Sequence, residues 1–325
     1  MISVIIPYYN PDGDTSADAL LGRAVRSAVS NLEGLFPYEI LVINDGSPSD
    51  PSLDGLNSTR IRYFRRPHGR LGAARNFGMD NASGDVLTFL DADDYYYPGS
   101  LAPCIMAMAD TGADLLGFGM RKSVNMTGID NPGKEEPVFE EPVSGNGYMS
   151  RHNLFGSACR YLISASLIKE NGLRFMENAF IEDEEFTPRM VWLSRRFVNT
   201  SFPVYAYCIH PGTITTSSSR SRADEKAAHT LIALGHLVTF RDGHADEPHD
   251  GLDRKIDYLA LDHLRRTLRR KEWKEVIGSQ TEALSRMGLF PLQDKGYPRG
   301  FRLYSLLSRS RAGLYILHLA EKFYK

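Results

Sequence analysis

The chain has 325 residues, of which 42% are hydrophobic and 10% aromatic, so we expect a globular protein with a substantial core in one or two domains. The formal net charge of −2 is unremarkable as a total, and we expect no nucleic-acid partner.

Cysteine usage and the amino-terminal sequence predict a cytoplasmic protein. The three cysteines, Cys104, Cys159 and Cys208, are odd in number and lack metal-ligand spacing, which favours reduced core residues over a disulfide framework. The first residues form an apolar strand pattern without the basic n-region of a signal peptide. No apolar run approaches the roughly 18–20 residues that span a bilayer.

The first hundred residues predict strands that alternate with helices. Strands are expected at 2–6, 39–43, 61–64 and 86–90, and helices at about 17–33 and 71–82. Such alternation is typical of βαβ units with a parallel sheet. The polar loops that follow the strands are therefore expected along one rim of that sheet, where ligands bind in open α/β folds.

The rest of the chain predicts a second, helical region. A helix at about 99–111 and a strand at 114–120 lead into a polar loop, 121–147, and a mixed segment, 153–210. Beyond the Ser-rich stretch near residue 220 the pattern is helical, with one helix expected over 254–287. We therefore expect two domains, an α/β domain at 1–220 and a helical region at 221–325.

The apolar run 86–90 ends in three carboxylates, Asp91, Asp93 and Asp94. Like charges placed so close repel each other, and a bound cation is the simplest compensation. Mg²⁺ or Mn²⁺ binds to carboxylates together with substrate phosphates, so this cluster indicates a metal-bridged diphosphate. The alternative is an acidic turn that caps the helix beginning at Pro98.

Six segments, in order, resemble the motifs of inverting family 2 (GT2) glycosyltransferases with the GT-A fold. They are SVIIPYYN at 3–10, INDGSPSD at 43–50, GAARNFG at 72–78, GDVLTFLDADD at 84–94, EDEEF at 182–186 and HPGTIT at 210–215. The resemblance covers about residues 1–220 and implies a Rossmann-like, mostly parallel sheet flanked by helices, with a helical C-terminal extension. The chain departs from the family at Asn44, where a second Asp is more common.

The resemblance implies a nucleotide site for a nucleoside-diphosphate sugar, with UDP favoured over GDP. Pro7 and Tyr9 would lie beside the base, and Asp45 would accept a hydrogen bond from uracil, because a carboxylate is an acceptor-only group. Arg75 would reach the base or the diphosphate, and Asp91 would lie near the ribose. The alternatives are turn chemistry for Asp45 and a surface ion pair for Arg75.

The resemblance also implies a metal and a general base. Asp93 would coordinate Mn²⁺ or Mg²⁺, His210 could complete the coordination, and Asp94 could ligate through water or hold the loop. Asp183 would take the proton from the acceptor hydroxyl, and Glu182 could hold the acceptor or tune Asp183. The alternative for these acids is a favourable helix start, since carboxylates stabilise that end of the macrodipole.

The carboxyl-terminal residues 295–325 carry seven basic residues and one acidic residue, Glu321, among leucines and aromatics. This pattern fits a helix lying on an anionic membrane surface, and the resemblance adds that many family members glycosylate polyprenyl-diphosphate-linked acceptors there. The alternative is a helix packed on the catalytic domain with solvated charges. A separate basic run, 265–271, could contact nucleic acid, but no other feature supports that.

Three functions are compared. The favoured one is a glycosyltransferase that adds a sugar to a glycan or lipid-linked glycan in surface polysaccharide biosynthesis. A sugar-nucleotide nucleotidylyltransferase would need a Gly-rich phosphate loop after the first strand, where this chain has Pro7 to Pro11. A non-catalytic relative that binds a glycan or a partner would be expected to lack Asp93 or Asp183, and both are present.

Overall fold

The computed structural model describes residues 1–53, 59–124, 129–130, 135–209 and 220–323. The chain divides into two units. The first comprises Met1–Tyr148 and Phe155–Ser217, and the second comprises Met149–Leu154 and Ser218–Lys325. The domain boundary near residue 220 stays a prediction.

The first unit is built on an eight-stranded mixed sheet with the strand order β3-β2-β1-β4-β7-β6-β8-β5. The strands are β1 (Ile2–Tyr8), β2 (Tyr38–Asn44), β3 (Ile61–Arg65), β4 (Val86–Phe89), β5 (Tyr95–Tyr96), β6 (Leu115–Ser123), β7 (Tyr161–Ser164) and β8 (Phe197–Cys208). The pairs β1–β2, β1–β4, β2–β3 and β6–β8 are parallel, and β4–β7, β6–β7 and β5–β8 are antiparallel. The predicted α/β class with a mostly parallel sheet is confirmed.

Six α-helices occur between these strands along the chain. They are α1 (Thr15–Leu32), α2 (Arg70–Asn81), α3 (Leu101–Thr111), α4 (Gly145–Arg151), α5 (Ala165–Glu170) and α6 (Glu182–Leu193). In α1, Asp14 caps the first turn by accepting the Ser16 N–H at 2.9 Å. The apolar residues of α1 recur every three or four positions and form a buried stripe along the helix, as expected for an amphipathic helix.

Several strands extend further than the sequence predicted, and the longest extensions are those of β1 and β6. Pro7 and Tyr8 belong to β1 and not to the loop after it. The strand lies between β2 and β4, so the residues on both of its faces are buried and its end cannot be recognised from an alternating pattern. Residues 121–123 continue β6 into the stretch predicted as loop, because β8 pairs with it as far as Ser123.

The second unit contains five helices, α7 (Arg220–Gly243), α8 (Asp250–Arg269), α9 (Trp273–Arg286), α10 (Arg299–Ser308) and α11 (Arg311–Phe323). The single helix predicted over 254–287 is wrong. Arg270 takes an extended backbone conformation with ψ of 148°, and its guanidinium bonds to Glu272 at 2.6 Å, which stabilises the break. No helix within the described ranges combines the length and apolar character needed to cross a membrane.

Candidate functional site

The ends of three neighbouring strands form the rim that the sequence predicted. The Asp45 N–H donates to the Tyr8 carbonyl at 2.8 Å, and the Leu90 N–H donates to the Ile5 carbonyl at 3.0 Å. The loop after β1 is tied to the loop after β2, since the Asn10 N–H donates to Ser47 Oγ at 3.0 Å. The loops after β1, β2 and β4 therefore lie side by side.

Arg75 stands at the centre of a buried charge cluster, which we call the Arg75 cluster: Arg75, Asp91, Glu182 and Asp183. The Arg75 side chain is 1% exposed. It donates from Nη2 to Asp91 Oδ1 at 3.0 Å, and from Nη1 to Asp183 Oδ1 at 2.6 Å and Glu182 Oε1 at 3.2 Å. One guanidinium thus joins the end of β4 to the start of α6.

The helix that presents Glu182 and Asp183 begins at a strained residue. Ile181, which precedes α6, has a φ of 63°, and two other non-glycine residues with positive φ, Arg70 and Asn178, lie nearby in the chain segments that meet here. The Asn178 N–H donates to the Gly69 carbonyl at 3.3 Å, which joins the start of α2 to this segment. Such left-handed residues cost energy and concentrate at functional sites.

The pKa of Asp183 is raised to about 7. Burial disfavours the carboxylate and is the main cause; Arg75 opposes it, while the charges of Glu182 and Asp91 add to it. A group with a pKa near the working pH can accept a proton and release it again. The cluster therefore gives Asp183 the proton affinity that a general base needs, although its role stays a prediction.

Asp94 differs from Asp91 and Asp93 because it is buried, and its side chain is tied to β8. Tyr205 Oη donates to Asp94 Oδ2 at 2.6 Å, and the Cys208 N–H donates to Oδ1 at 2.7 Å. Burial, together with the charges of Asp93 and Asp91, raises the pKa of Asp94 to about 9. These contacts hold the loop after β4, which is one of the two roles predicted for Asp94.

The other two carboxylates of this loop suit a hard divalent cation. Asp91 is 30% exposed, and Asp93 is partly exposed, with its backbone carbonyl held by Arg23 Nη2 at 2.6 Å. One or two carboxylates are enough when substrate phosphates supply further oxygens. Within the described part of the chain no group of three or more His, Cys, Asp or Glu could hold a metal by itself. His210 and the Thr213–Thr216 stretch lie outside the described residues.

Asp45, predicted to read the uracil edge, already has several partners. Both of its carboxylate oxygens accept the Gly69 N–H at 3.1 Å, and it forms an ion pair with Arg66. His68 Nδ1 lies 2.9 Å from Oδ2. Arg66 and His68 were not predicted as site residues, although their position within three residues before Gly69, which precedes α2, was a usable signal. Base recognition by Asp45 stays a prediction.

Tyr9, Pro7 and Arg75 were the other predicted nucleotide contacts. Tyr9 is 47% exposed and stacks on His68, with ring centroids 4.2 Å apart and an interplanar angle of 25°. Pro7 is buried in β1. The alternative of a surface ion pair for Arg75 is wrong, because the side chain is buried; its contact with a nucleotide stays a prediction.

All three cysteines lie in the first unit. Cys104, Cys159 and Cys208 are buried and form no disulfide, as predicted. Cys159 Sγ lies 3.5 Å from Arg75 Nη2, and burial raises the pKa of its thiol. The Cys159 thiol therefore belongs to the packing around Arg75.

Comparison with known proteins gives matches in sequence. The family model described as "Glycosyl transferase family 2" matches residues 3–168. The succinoglycan biosynthesis protein ExoW of Rhizobium meliloti is 36% identical over 120 residues, which is 35% of each chain. The poly(ribitol-phosphate) beta-glucosyltransferase of Bacillus spizizenii is 29% identical over 194 residues, 57% of this chain and 28% of that one. The chain thus spans about a third of the length of these two relatives.

Comparison with solved structures gives a match in fold. The crystal structure of S. aureus TarS 1-349 in complex with UDP-GlcNAc aligns with a TM-score of 0.67 and 20% identity, covering 99% of this chain and 91% of that one. The structure of the same fragment with UDP aligns with a TM-score of 0.66 and 18% identity. The predicted GT-A fold agrees with this likeness.

Proposed function

Since the chain belongs to glycosyl transferase family 2, we propose that it is an inverting glycosyltransferase that moves a sugar from a nucleoside-diphosphate sugar to a hydroxyl group. The observation that supports this most is the Arg75 cluster. Asp91 and Asp183 are far apart in the sequence, yet both bond to one buried guanidinium. A donor-side carboxylate and a candidate base are therefore close neighbours.

In this mechanism Asp183 accepts the proton of the acceptor hydroxyl as its oxygen attacks the anomeric carbon. The new bond forms between that oxygen and the anomeric carbon, and the bond from the anomeric carbon to the diphosphate oxygen breaks. Attack opposite the leaving group inverts the configuration, so an α-linked donor gives a β-linked product. Arg75 keeps Asp183 oriented through the 2.6 Å hydrogen bond, and such positioning is a large part of catalysis.

The leaving diphosphate needs positive charge near it. We assign Asp93 as the carboxylate that holds a Mn²⁺ or Mg²⁺ ion, which when bound neutralises charge on the leaving diphosphate. Asp94 supports Asp93 by fastening their loop to β8. Of these two adjacent acids, Asp93 therefore binds the metal ion and Asp94 bonds to β8.

The donor and acceptor are proposed from the comparisons. The TarS fragment was crystallised with UDP-GlcNAc and with UDP, which favours a UDP-sugar as donor. The names of two relatives refer to succinoglycan biosynthesis and to a poly(ribitol-phosphate) beta-glucosyltransferase. They favour a glycan or a lipid-linked glycan as acceptor, in the synthesis of a surface polysaccharide.

Calorimetric titration tests the donor site. UDP and GDP are each titrated, with Mn²⁺ and with EDTA, into the wild type, Asp93→Ala and the control Asp110→Ala, whose aspartate is exposed on α3. We expect Mn²⁺-dependent binding of UDP that weakens by about tenfold or more in Asp93→Ala, since a lost metal contact removes over ~1.4 kcal/mol. UDP binding that is equally strong with Mn²⁺ and with EDTA, and in the wild type and Asp93→Ala, would rule out Asp93 as the metal ligand.

Turnover tests the base. With a UDP-sugar that the wild type transfers, Asp183→Asn should lower kcat by about 10²–10⁴-fold while UDP affinity changes little. If Asp183→Asn lowers UDP affinity by as large a factor as it lowers kcat, Asp183 would instead have a role in UDP binding. If the wild type binds UDP-sugars and transfers none to glycan acceptors, the non-catalytic glycan-binding alternative gains support.

A further inference from the structure

Helix α11 has one buried face and a roughly opposite face that is exposed and apolar. Gly313, Leu317 and Glu321 recur every four positions and are buried within the second unit. Ile316, Leu319 and Phe323, which are three and four positions apart, lie on the other side and are 52%, 39% and 87% exposed. A helix that packs by one face normally presents polar residues on the other. The exposed apolar face of α11 therefore needs an explanation.

Helix α10 repeats this arrangement. Phe301 and Ser305 are buried, whereas Leu303 and Leu306 are 55% and 59% exposed. Six of the sixteen exposed large hydrophobic residues in the described part of the chain lie on these two helices. We call their exposed residues the tail surface: Leu303, Leu306, Tyr315, Ile316, Leu319 and Phe323. Concentrated apolar exposure marks an interaction site.

Four cations on or directly beside these two helices are exposed and have no ion-pair partner among the described residues, whereas Arg302 on α10 pairs with Asp294 at 2.6 Å. Arg299, Arg309, Arg311 and Lys322 form no ion pair with any other described residue. The one acid on α10 and α11, Glu321, is 4% exposed and is bound by Arg265 and Arg269. The tail surface is therefore flanked by positive charge that no acid among the described residues of the unit neutralises.

The other basic run of the second unit behaves differently. Arg265 and Arg269 bond to Glu321, Arg266 bonds to Asp262 at 2.7 Å, and Arg270 bonds to Glu272 at 2.6 Å. These arginines use their charge within the fold. A nucleic-acid contact through these four arginines therefore gains no support.

We propose that the tail surface binds the surface of an anionic lipid bilayer. Exposed leucines, isoleucine and phenylalanine enter the boundary between headgroups and acyl chains, while the flanking arginines and Lys322 bind headgroup phosphates, as amphipathic basic helices do. A second copy of the chain fits less well, because a self-complementary contact would bring these cations close to their own equivalents. The proposal does not depend on sugar transfer.

Vesicle flotation of the full chain tests the proposal. The vesicles contain phosphatidylcholine alone or phosphatidylcholine with phosphatidylglycerol. One variant changes the apolar face (Ile316→Asp, Leu319→Asp, Phe323→Asp), and one changes the charge (Arg299→Ala, Arg309→Ala, Arg311→Ala, Lys322→Ala). The matched control, Ile232→Asp with Arg286→Ala, alters residues of the same unit that are 47% and 76% exposed. Circular dichroism checks the fold of each.

We expect the wild type and the control to float with the anionic vesicles and not with phosphatidylcholine alone. Each lost cation should weaken partitioning about fivefold, because one basic residue near an anionic surface contributes roughly 1 kcal/mol, and added salt should weaken it further. The apolar variant should lose about tenfold or more. The proposal would be overturned if the wild type does not float with the anionic vesicles. It would also be overturned if the variants float as well as the wild type does. Self-association in sedimentation velocity that only the apolar variant loses would overturn it as well, since a second copy would then cover this face.

Discussion

Two charge clusters, one in each unit, are each built around a single buried side chain and have opposite compositions. In the Arg75 cluster a single cation, 1% exposed, meets three carboxylates. In the second unit a single carboxylate, Glu321, which is 4% exposed, accepts from Arg265 Nε at 2.7 Å, from Arg269 Nε at 2.5 Å and from the Tyr304 hydroxyl. The Arg75 cluster therefore contains more acids than cations, whereas the cluster around Glu321 contains more cations than acids.

This difference changes the proton affinity of the acids. Burial would raise the pKa of Glu321, but hydrogen bonds from Arg265, Tyr304 and Arg269 outweigh burial and lower it. In the Arg75 cluster one guanidinium cannot offset burial and two further negative charges, and the pKa of Asp183 rises to about 7. A fully compensated ion pair stabilises structure, whereas an under-compensated one leaves an acid able to exchange its proton near neutral pH.

The largest expected effect comes from removing the single cation. Arg75→Met removes the buried guanidinium that pairs with Asp91, Glu182 and Asp183, and breaking a buried ion pair costs about 3–5 kcal/mol. Denaturant unfolding with and without the substitution measures this loss. Arg65→Met is the control, because Arg65 and its partner Asp50 are 45% and 59% exposed and such pairs contribute at most about 1 kcal/mol. Equal losses in the two variants would show that the cluster does not depend on Arg75.

The next effect is a pH dependence of turnover. Because the pKa of Asp183 is raised to about 7, the base is protonated and inactive below that pH, and kcat/KM should fall about tenfold for each pH unit on the acid side. Glu182→Gln removes a negative charge that helps to raise the pKa of Asp183, so the acid limb should move to lower pH. A limb that stays in place, or a profile flat between pH 5 and 8, would contradict the proposed base.

The smallest effect is expected in the second unit. Glu321→Gln should lower the free energy of unfolding at neutral pH by about 1–3 kcal/mol, less than Arg75→Met, because Arg265 and Arg269 are 33% and 45% exposed and can be hydrated. Since the pKa of Glu321 is lowered in the folded protein, its contribution is present above the ordinary glutamate pKa and is lost as the pH falls through the folded value. The gap between wild type and variant should therefore narrow in acid.

The matched control for this measurement is Glu282→Gln, whose carboxylate is 64% exposed in an i,i+4 pair with Arg286. It should change the unfolding free energy by no more than about 0.5 kcal/mol. A loss in Glu321→Gln as small as in this control, or a gap that widens in acid, would remove the contrast between the two clusters.

The sequence predicted the features that depend on local pattern. The strands at the start of the chain, the helices between them and the polar loops after them follow from hydrophobic periodicity and turn residues within short windows. From these the α/β class and the shared rim could be predicted, because parallel strands joined by helices end on the same edge. Failures of this kind were at boundaries, such as Pro7 in β1 and the break at Arg270 in the predicted helix 254–287.

Tertiary packing alone decided what each charge does. Asp93 and Asp94 are adjacent in sequence, yet β8 binds the Asp94 side chain through Tyr205 and Cys208, whereas Arg23 on α1 bonds to the Asp93 backbone carbonyl. Likewise, Arg75 meets its partners on α6, and Arg265 meets Glu321 on α11. Burial and the number of opposite charges set proton affinity, and both depend on residues that the chain brings together from long sequence distances. No local pattern encodes that, so the sequence identified the charged residues and the fold assigned their partners.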